Sequence, residues 1–113
     1  MSDSNTGVVP YGSLDLLVLK TLDSMGSMHG FGIARRIEQV CEQLVHLNQG
    51  SIYPALLRLQ QQGWIESEWG VSENNRRAKF YSITPAGQKQ LEVEVENWNR
   101  MTSLVARFLG ETS

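Results

Sequence analysis

The sequence predicts an α+β chain, mostly α, of the winged helix-turn-helix class: three short helices, a two-stranded wing and a long C-terminal helix. Three observations carry that prediction. Apolar residues recur at helical spacing in three segments separated by glycine-containing turns. Two β-favouring runs then flank a polar, asparagine-rich tip, and the final segment keeps an unbroken helical repeat of apolar positions. The expected divisions are a flexible N-terminal arm over 1–11, a helix-turn-helix and wing domain over 12–83, and a dimerisation helix over 84–110.

Met1 to Pro10 are small and polar with no periodicity, as expected of a flexible arm available to order on a partner. In the first helix Leu14, Leu17, Val18, Thr21, Leu22 and Met25 share a face, with Ser13 as N-cap and Gly26 as the stop. After the linker Gly26 to Gly30, a second helix turns Ile33, Ile37, Val40 or Cys41, and Leu44 inward. Its outer face carries Arg35, Arg36, Glu38 and Gln39. The third helix takes Asn48 as N-cap, because its side-chain oxygen can accept from the free amides of the first turn. Ile52, Ala55, Leu56 and Leu59 form its buried stripe, and Gly63 ends it. Pro54 has no N–H to donate and crowds the carbonyl four residues back, so a bend or a looser first turn is expected there.

Trp64 to Trp69 and Ala78 to Ile83 read as strands, with Gly70 to Asn75 as the turn between them. Thr84 and Pro85 form an N-cap and first-turn pair. They open a long helix whose inner positions are Leu91, Val95, Trp98, Thr102, Val105 and Leu109. That spacing is a helix-packing seam, and it nominates these six residues for dimerisation.

Composition excludes several classes. At 113 residues, 41% hydrophobic and 19% charged, the chain has room for one globular domain with a core. No apolar run approaches the ~20 residues of a membrane span, so no membrane association is expected. The N-terminus lacks the pattern of a signal peptide, and a cytoplasmic location follows as the expectation. Cys41 is the sole cysteine and reads as a buried helix residue rather than a redox sensor. His29 and His46 lack carboxylates at ligand spacing, so no metal is expected. No serine elbow, phosphate loop or acid pair is present, which argues against an enzyme and against a cofactor. Net charge of −2 leaves nucleic-acid binding to be decided by how the charges are distributed.

A helix that enters the major groove needs polar or cationic side chains near its N-terminus. Gln49, Ser51, Tyr53 and Arg58 fit: Ser51 and Tyr53 for phosphates, Gln49 for a base edge, Arg58 for either. Arg76, Arg77 and Lys79 follow the hairpin tip, where a wing would reach the DNA backbone. Arg35 and Arg36 could add backbone contacts. The bland alternative is that these residues form solvated surface.

The runs His29-Gly30-Phe31-Gly32-Ile33, Ser51-Ile52-Tyr53-Pro54-Ala55-Leu56 with Arg58-Leu59, and Tyr81-Ser82-Ile83-Thr84-Pro85-Ala86-Gly87 make the chain resemble the PadR family of bacterial transcriptional regulators. The likeness covers roughly 12–107, and Ser72 to Tyr81 is similar to the wing of a short subgroup. It implies a homodimeric repressor of a double-stranded DNA operator, with each final helix crossing onto the partner protomer. It places DNA contacts on Ser51, Tyr53, Arg58 and the wing cations. Leu57 stands where relatives often carry a cation, and Gln60 to Gln62 where glutamates are common. Some PadR-like proteins bind flat aromatic molecules through a Trp of the final helix, which makes Trp98 a candidate effector site; packing in a dimer core is its plainer role. A winged-helix module that binds protein through Leu57, without specific DNA binding, is the competing function.

Overall fold

The computed structural model describes residues 11–111; the expected arm lies outside them except for Tyr11. In chain order the elements are α1 (Tyr11–Met25), β1 (Met28–His29), α2 (Gly30–Val40), α3 (Gln49–Gln61), β2 (Ile65–Val71), β3 (Arg77–Ile83) and α4 (Pro85–Glu111). Leu19, Leu22, Ile33, Ile52, Leu56, Leu59 and Ile65 meet in one core between α1, α2, α3 and the sheet.

Helix α1 begins at Tyr11, so Ser13 lies inside it and is not its N-cap. Leu14, Val18, Thr21 and Leu22 are buried as expected, and so is Leu19. The Thr21 hydroxyl donates to the Leu17 carbonyl at 2.7 Å, which satisfies the one buried polar side chain of this face. Met25 is exposed because the last turn runs past the core. Gly26 then adopts φ +85°, a left-handed turn that glycine takes without steric cost, and its N–H donates to the Leu22 carbonyl.

The expected linker contributes a strand. Met28 pairs with Tyr81 and His29 with Phe80, so the sheet has three strands in the order β1-β3-β2, not two. A two-residue strand has no periodicity to read; it exists because β3 passes alongside. His29 also caps α2, its Nδ1 accepting from the Gly32 N–H at 2.9 Å while its ring meets the Phe80 ring edge-on.

Helix α2 is shorter than expected. It ends at Val40, and Glu42 and Gln43 both take positive φ, turning the chain away. Ile33 and Ile37 are buried, but Val40 and Leu44 are exposed and Cys41 is a half-buried capping residue rather than a buried one. Glu38, expected on the outer face, is half-buried, and its carboxylate accepts from the Leu47 N–H at 2.8 Å, holding the α2–α3 connection.

Helix α3 keeps its expected cap and stripe. Asn48 Oδ1 accepts from the Ser51 N–H at 3.1 Å, and Ile52, Ala55, Leu56 and Leu59 are buried. The helix runs through Pro54 without interruption, and in its first turn the Asn48 carbonyl accepts from both Ser51 and Ile52. The hairpin strands are longer than expected: pairing runs from Ile65 opposite Ile83 to Val71 opposite Arg77, so Gly70 and Val71 are strand and the turn is confined to Ser72 to Arg76.

Helix α4 is launched by a tight junction. Thr84 Oγ1 accepts from the Gly87 N–H at 3.0 Å and donates to the Gly63 carbonyl at 2.7 Å. Gly87 sits so close to the Trp64 carbonyl that a Cβ there would overlap it. From this junction α4 extends ~40 Å at 1.5 Å per residue. The radius of gyration, 15.8 Å, exceeds the ~13 Å of a compact chain of this length, because α4 projects from the head.

Candidate nucleic-acid interface

The amphipathic stripe of α3 turns its opposite face and its N-terminus outward. Gln49 and Tyr53 are exposed there; Ser51 is half-buried, its hydroxyl 3.3 Å from the capping Asn48 Oδ1. The Tyr53 ring lies across the start of α2, where a Cβ on Gly30 would stand 2.9 Å from its Cε1. Gly30 is therefore a close-approach position that lets α2 and the third helix share one surface. Tyr81 lies beneath. Burial, and secondarily the neighbouring Tyr53 phenol, pushes its hydroxyl above the usual tyrosine range, so Tyr81 stays a neutral donor at physiological pH.

The wing meets this surface. Its tip is ordered by the Ser72 N–H donating to the Arg76 carbonyl at 2.8 Å and by Asn75 in a left-handed conformation at φ +61°. Arg76, Arg77 and Lys79 are exposed on it. Together with Tyr53, Phe31 and Trp69 they line an open groove of about 820 Å³ between the wing and the helices. The groove thus gathers four of the seven expected DNA-contacting residues: Tyr53, Arg76, Arg77 and Lys79. Gln49 and Ser51 stand at the α3 N-terminus outside its lining.

Arg58 is placed differently. Its Nη2 donates to Asp15 Oδ1 at 2.6 Å, and both side chains are largely covered, tying α3 to α1. Leu57 is 58% exposed on the outer side of α3. Arg35 lies on α2 with its guanidinium 5.0 Å from the Phe31 ring centroid. Trp69 and Phe31 are not among the site residues that the sequence predicts. Trp69 becomes legible only from the hairpin register, which sets it directly opposite Lys79. Among the described residues, no three His, Cys, Asp or Glu side chains converge as a metal site, and no helix is long and apolar enough to cross a membrane.

The profile described as "Transcriptional regulator PadR-like family" matches residues 18–93. The chain belongs to the PadR-like family of transcriptional regulators. A transcriptional regulator from Clostridium thermocellum superposes with a TM-score of 0.78 at 29% identity, over 86% of this chain and 93% of that one. A PadR-like transcriptional regulator from Bacillus cereus gives 0.72 at 28% identity, over 87% and 92%. An uncharacterized 37.1 kDa transposon protein from Streptomyces fradiae is 36% identical over 90 residues, 80% of this chain but 24% of that protein. PadR family members are transcriptional regulators, not enzymes, and the three helices, sheet and long C-terminal helix of this chain are those of its PadR neighbours.

Proposed function

We propose that this PadR-family chain is a homodimeric, sequence-specific repressor that binds a pseudo-palindromic DNA operator in the cytoplasm. The observation that carries the reading is the groove in which the wing cations Arg76, Arg77 and Lys79 open beside Tyr53 and the N-terminus of α3. Phosphates have cations to meet there, with the positive end of the α3 dipole beside them, while Gln49 is exposed at the end that would face base edges. Arg58 is paired with Asp15 in the free chain, so it meets DNA only by exchanging that partner. Within this scheme 12–83 is the reading head and 84–110 the dimerisation helix.

Support for the dimer comes from α4. Of the six seam residues Leu91 is buried within the chain, while Val95, Trp98, Thr102, Val105 and Leu109 are exposed. Met101, Leu104 and Phe108 join them, so the apolar side chains cover about half the circumference at ~100° per residue. Such a face on a projecting helix is the kind that a second protomer covers. Trp98, 50% exposed in the single chain, is the place where an aromatic effector would enter between protomers. The exposed Leu57 favours the second reading, a protein-binding module without specific DNA binding.

Footprinting on the gene's own upstream region separates the two. Protection of two half-sites about one helical turn apart is expected for the repressor, and no protection for the module. Arg76→Ala with Arg77→Ala should weaken binding to every duplex and make its salt dependence shallower by about two phosphate contacts. Equal binding by this variant and the native chain at moderate salt would remove the wing from the interface.

A further inference from the structure

Two aromatic side chains on the groove stand more than half exposed, Trp69 at 56% and Phe31 at 57%, and neither belongs to the core. Both carry cations. The Arg77 guanidinium lies 4.5 Å from the Trp69 ring centroid and the Lys79 ammonium 5.7 Å from the same ring, while Arg35 stacks on Phe31. The register explains the first arrangement. Trp69 is paired with Lys79, and Arg77 lies two residues along β3 on the same face of the hairpin, so one indole lies within reach of both. The negative face of the ring attracts each cation and offsets the repulsion between them.

We propose that Trp69 is a positioning residue for DNA binding, whose indole holds Arg77 and Lys79 as an ordered pair that meets phosphates without first losing side-chain freedom. The proposal rests on the reading of this groove as the DNA interface. Long cationic side chains carry large rotamer entropy, and a chain already ordered in the free protein loses less of it on binding. Phe31 gives Arg35 the same support on α2.

The test is a double-mutant cycle on a random-sequence duplex of about 30 base pairs, which suffices because phosphate contacts are independent of sequence. Trp69→Ala should weaken binding by about 5-fold to 20-fold, the worth of two exposed cation–π contacts, with an unchanged salt slope. In a background of Arg77→Ala and Lys79→Ala it should cost nothing further, and Trp69→Phe should keep most of the affinity. A loss of the same size in that background would mean that the indole touches DNA itself, and the proposal fails; native affinity in Trp69→Ala overturns it as well. The side-chain order of the Arg77 Nε–H group, measured by NMR in the free protein, should fall in Trp69→Ala while the melting temperature holds. Unchanged order overturns the positioning role whatever DNA does. If the native chain binds no duplex at low salt, the DNA reading falls and the proposal with it, and the order measurement still reports whether the indole restrains the cation.

Discussion

The head and the distal part of α4 use the same kinds of apolar residue to opposite ends. In the head, Val18, Leu19, Ile33, Ala55 and Leu59 lose almost all contact with water to one another. In α4, Trp98, Met101, Leu104, Val105 and Phe108 keep between 46% and 68% of their surface. Burying a large aliphatic side chain is worth about 1.5–3 kcal/mol, so the head has collected that free energy within one chain while α4 holds it in reserve. The head is a finished fold, whereas distal α4 presents an apolar face that the chain itself leaves uncovered. The two regions meet at the Thr84–Gly63–Gly87 junction, where close backbone packing leaves little room for α4 to pivot.

The sharpest way to break that contrast is a charge on the exposed face. Val105→Asp lies 20 residues beyond the α4 start at Pro85, far from the buried Leu91, so the head should keep its helical circular dichroism. A carboxylate buried in an apolar interface is costly, and self-association should fall by several thousand-fold, about 5 kcal/mol. Analytical ultracentrifugation should then give the 12.7 kDa monomer mass, with Val105→Ile assembling as the native chain does. A native chain that already sediments as a monomer would show that the face serves another purpose.

The mirror experiment targets the head. Leu59 is fully buried in the α3 stripe, and Leu59→Ala should destabilise by about 3 kcal/mol through lost transfer energy and a residual cavity. Urea unfolding should show the lower midpoint, and the effect should persist in the Val105→Asp background if the head folds independently of assembly. A loss present only in the assembled protein would mean that the two regions fold as one.

The contrast also explains what could be read from sequence. The α3 stripe, its Asn48 cap, the glycine stops at Gly26 and Gly63 and the Thr84–Pro85 start all depend on neighbours within about one or two helical turns, and those interactions are written in local spacing. The strand Met28–His29 and the Trp69 platform depend on β3, which only the register brings alongside. The early end of α2 reflects two left-handed residues, Glu42 and Gln43, of types that do not advertise such a conformation. At the site, the wing cations and Tyr53 were legible as charge and polarity beside a helix start, but the restraint on Arg58 comes from a carboxylate 43 positions away. Periodicity says which face a residue occupies and is silent about which distant element covers it.

That restraint supplies the smallest of these effects. Asp15 and Arg58 are 20% and 27% exposed at the side chain, so their pair is neither deeply buried nor fully screened. Asp15→Asn keeps the shape and a hydrogen-bond acceptor but removes the charge, and should cost about 1 kcal/mol of stability in urea unfolding. The more telling measurement is DNA affinity at constant temperature. If Arg58 sets the angle of α3, releasing it disturbs how Gln49 would meet a base edge, and discrimination between operator and random duplex should narrow while binding to random duplex stays near native. If Arg58 is instead a phosphate ligand restrained by Asp15, the same substitution frees a cation and both affinities should rise together. The direction of change therefore assigns Arg58 to the head's architecture or to its DNA surface.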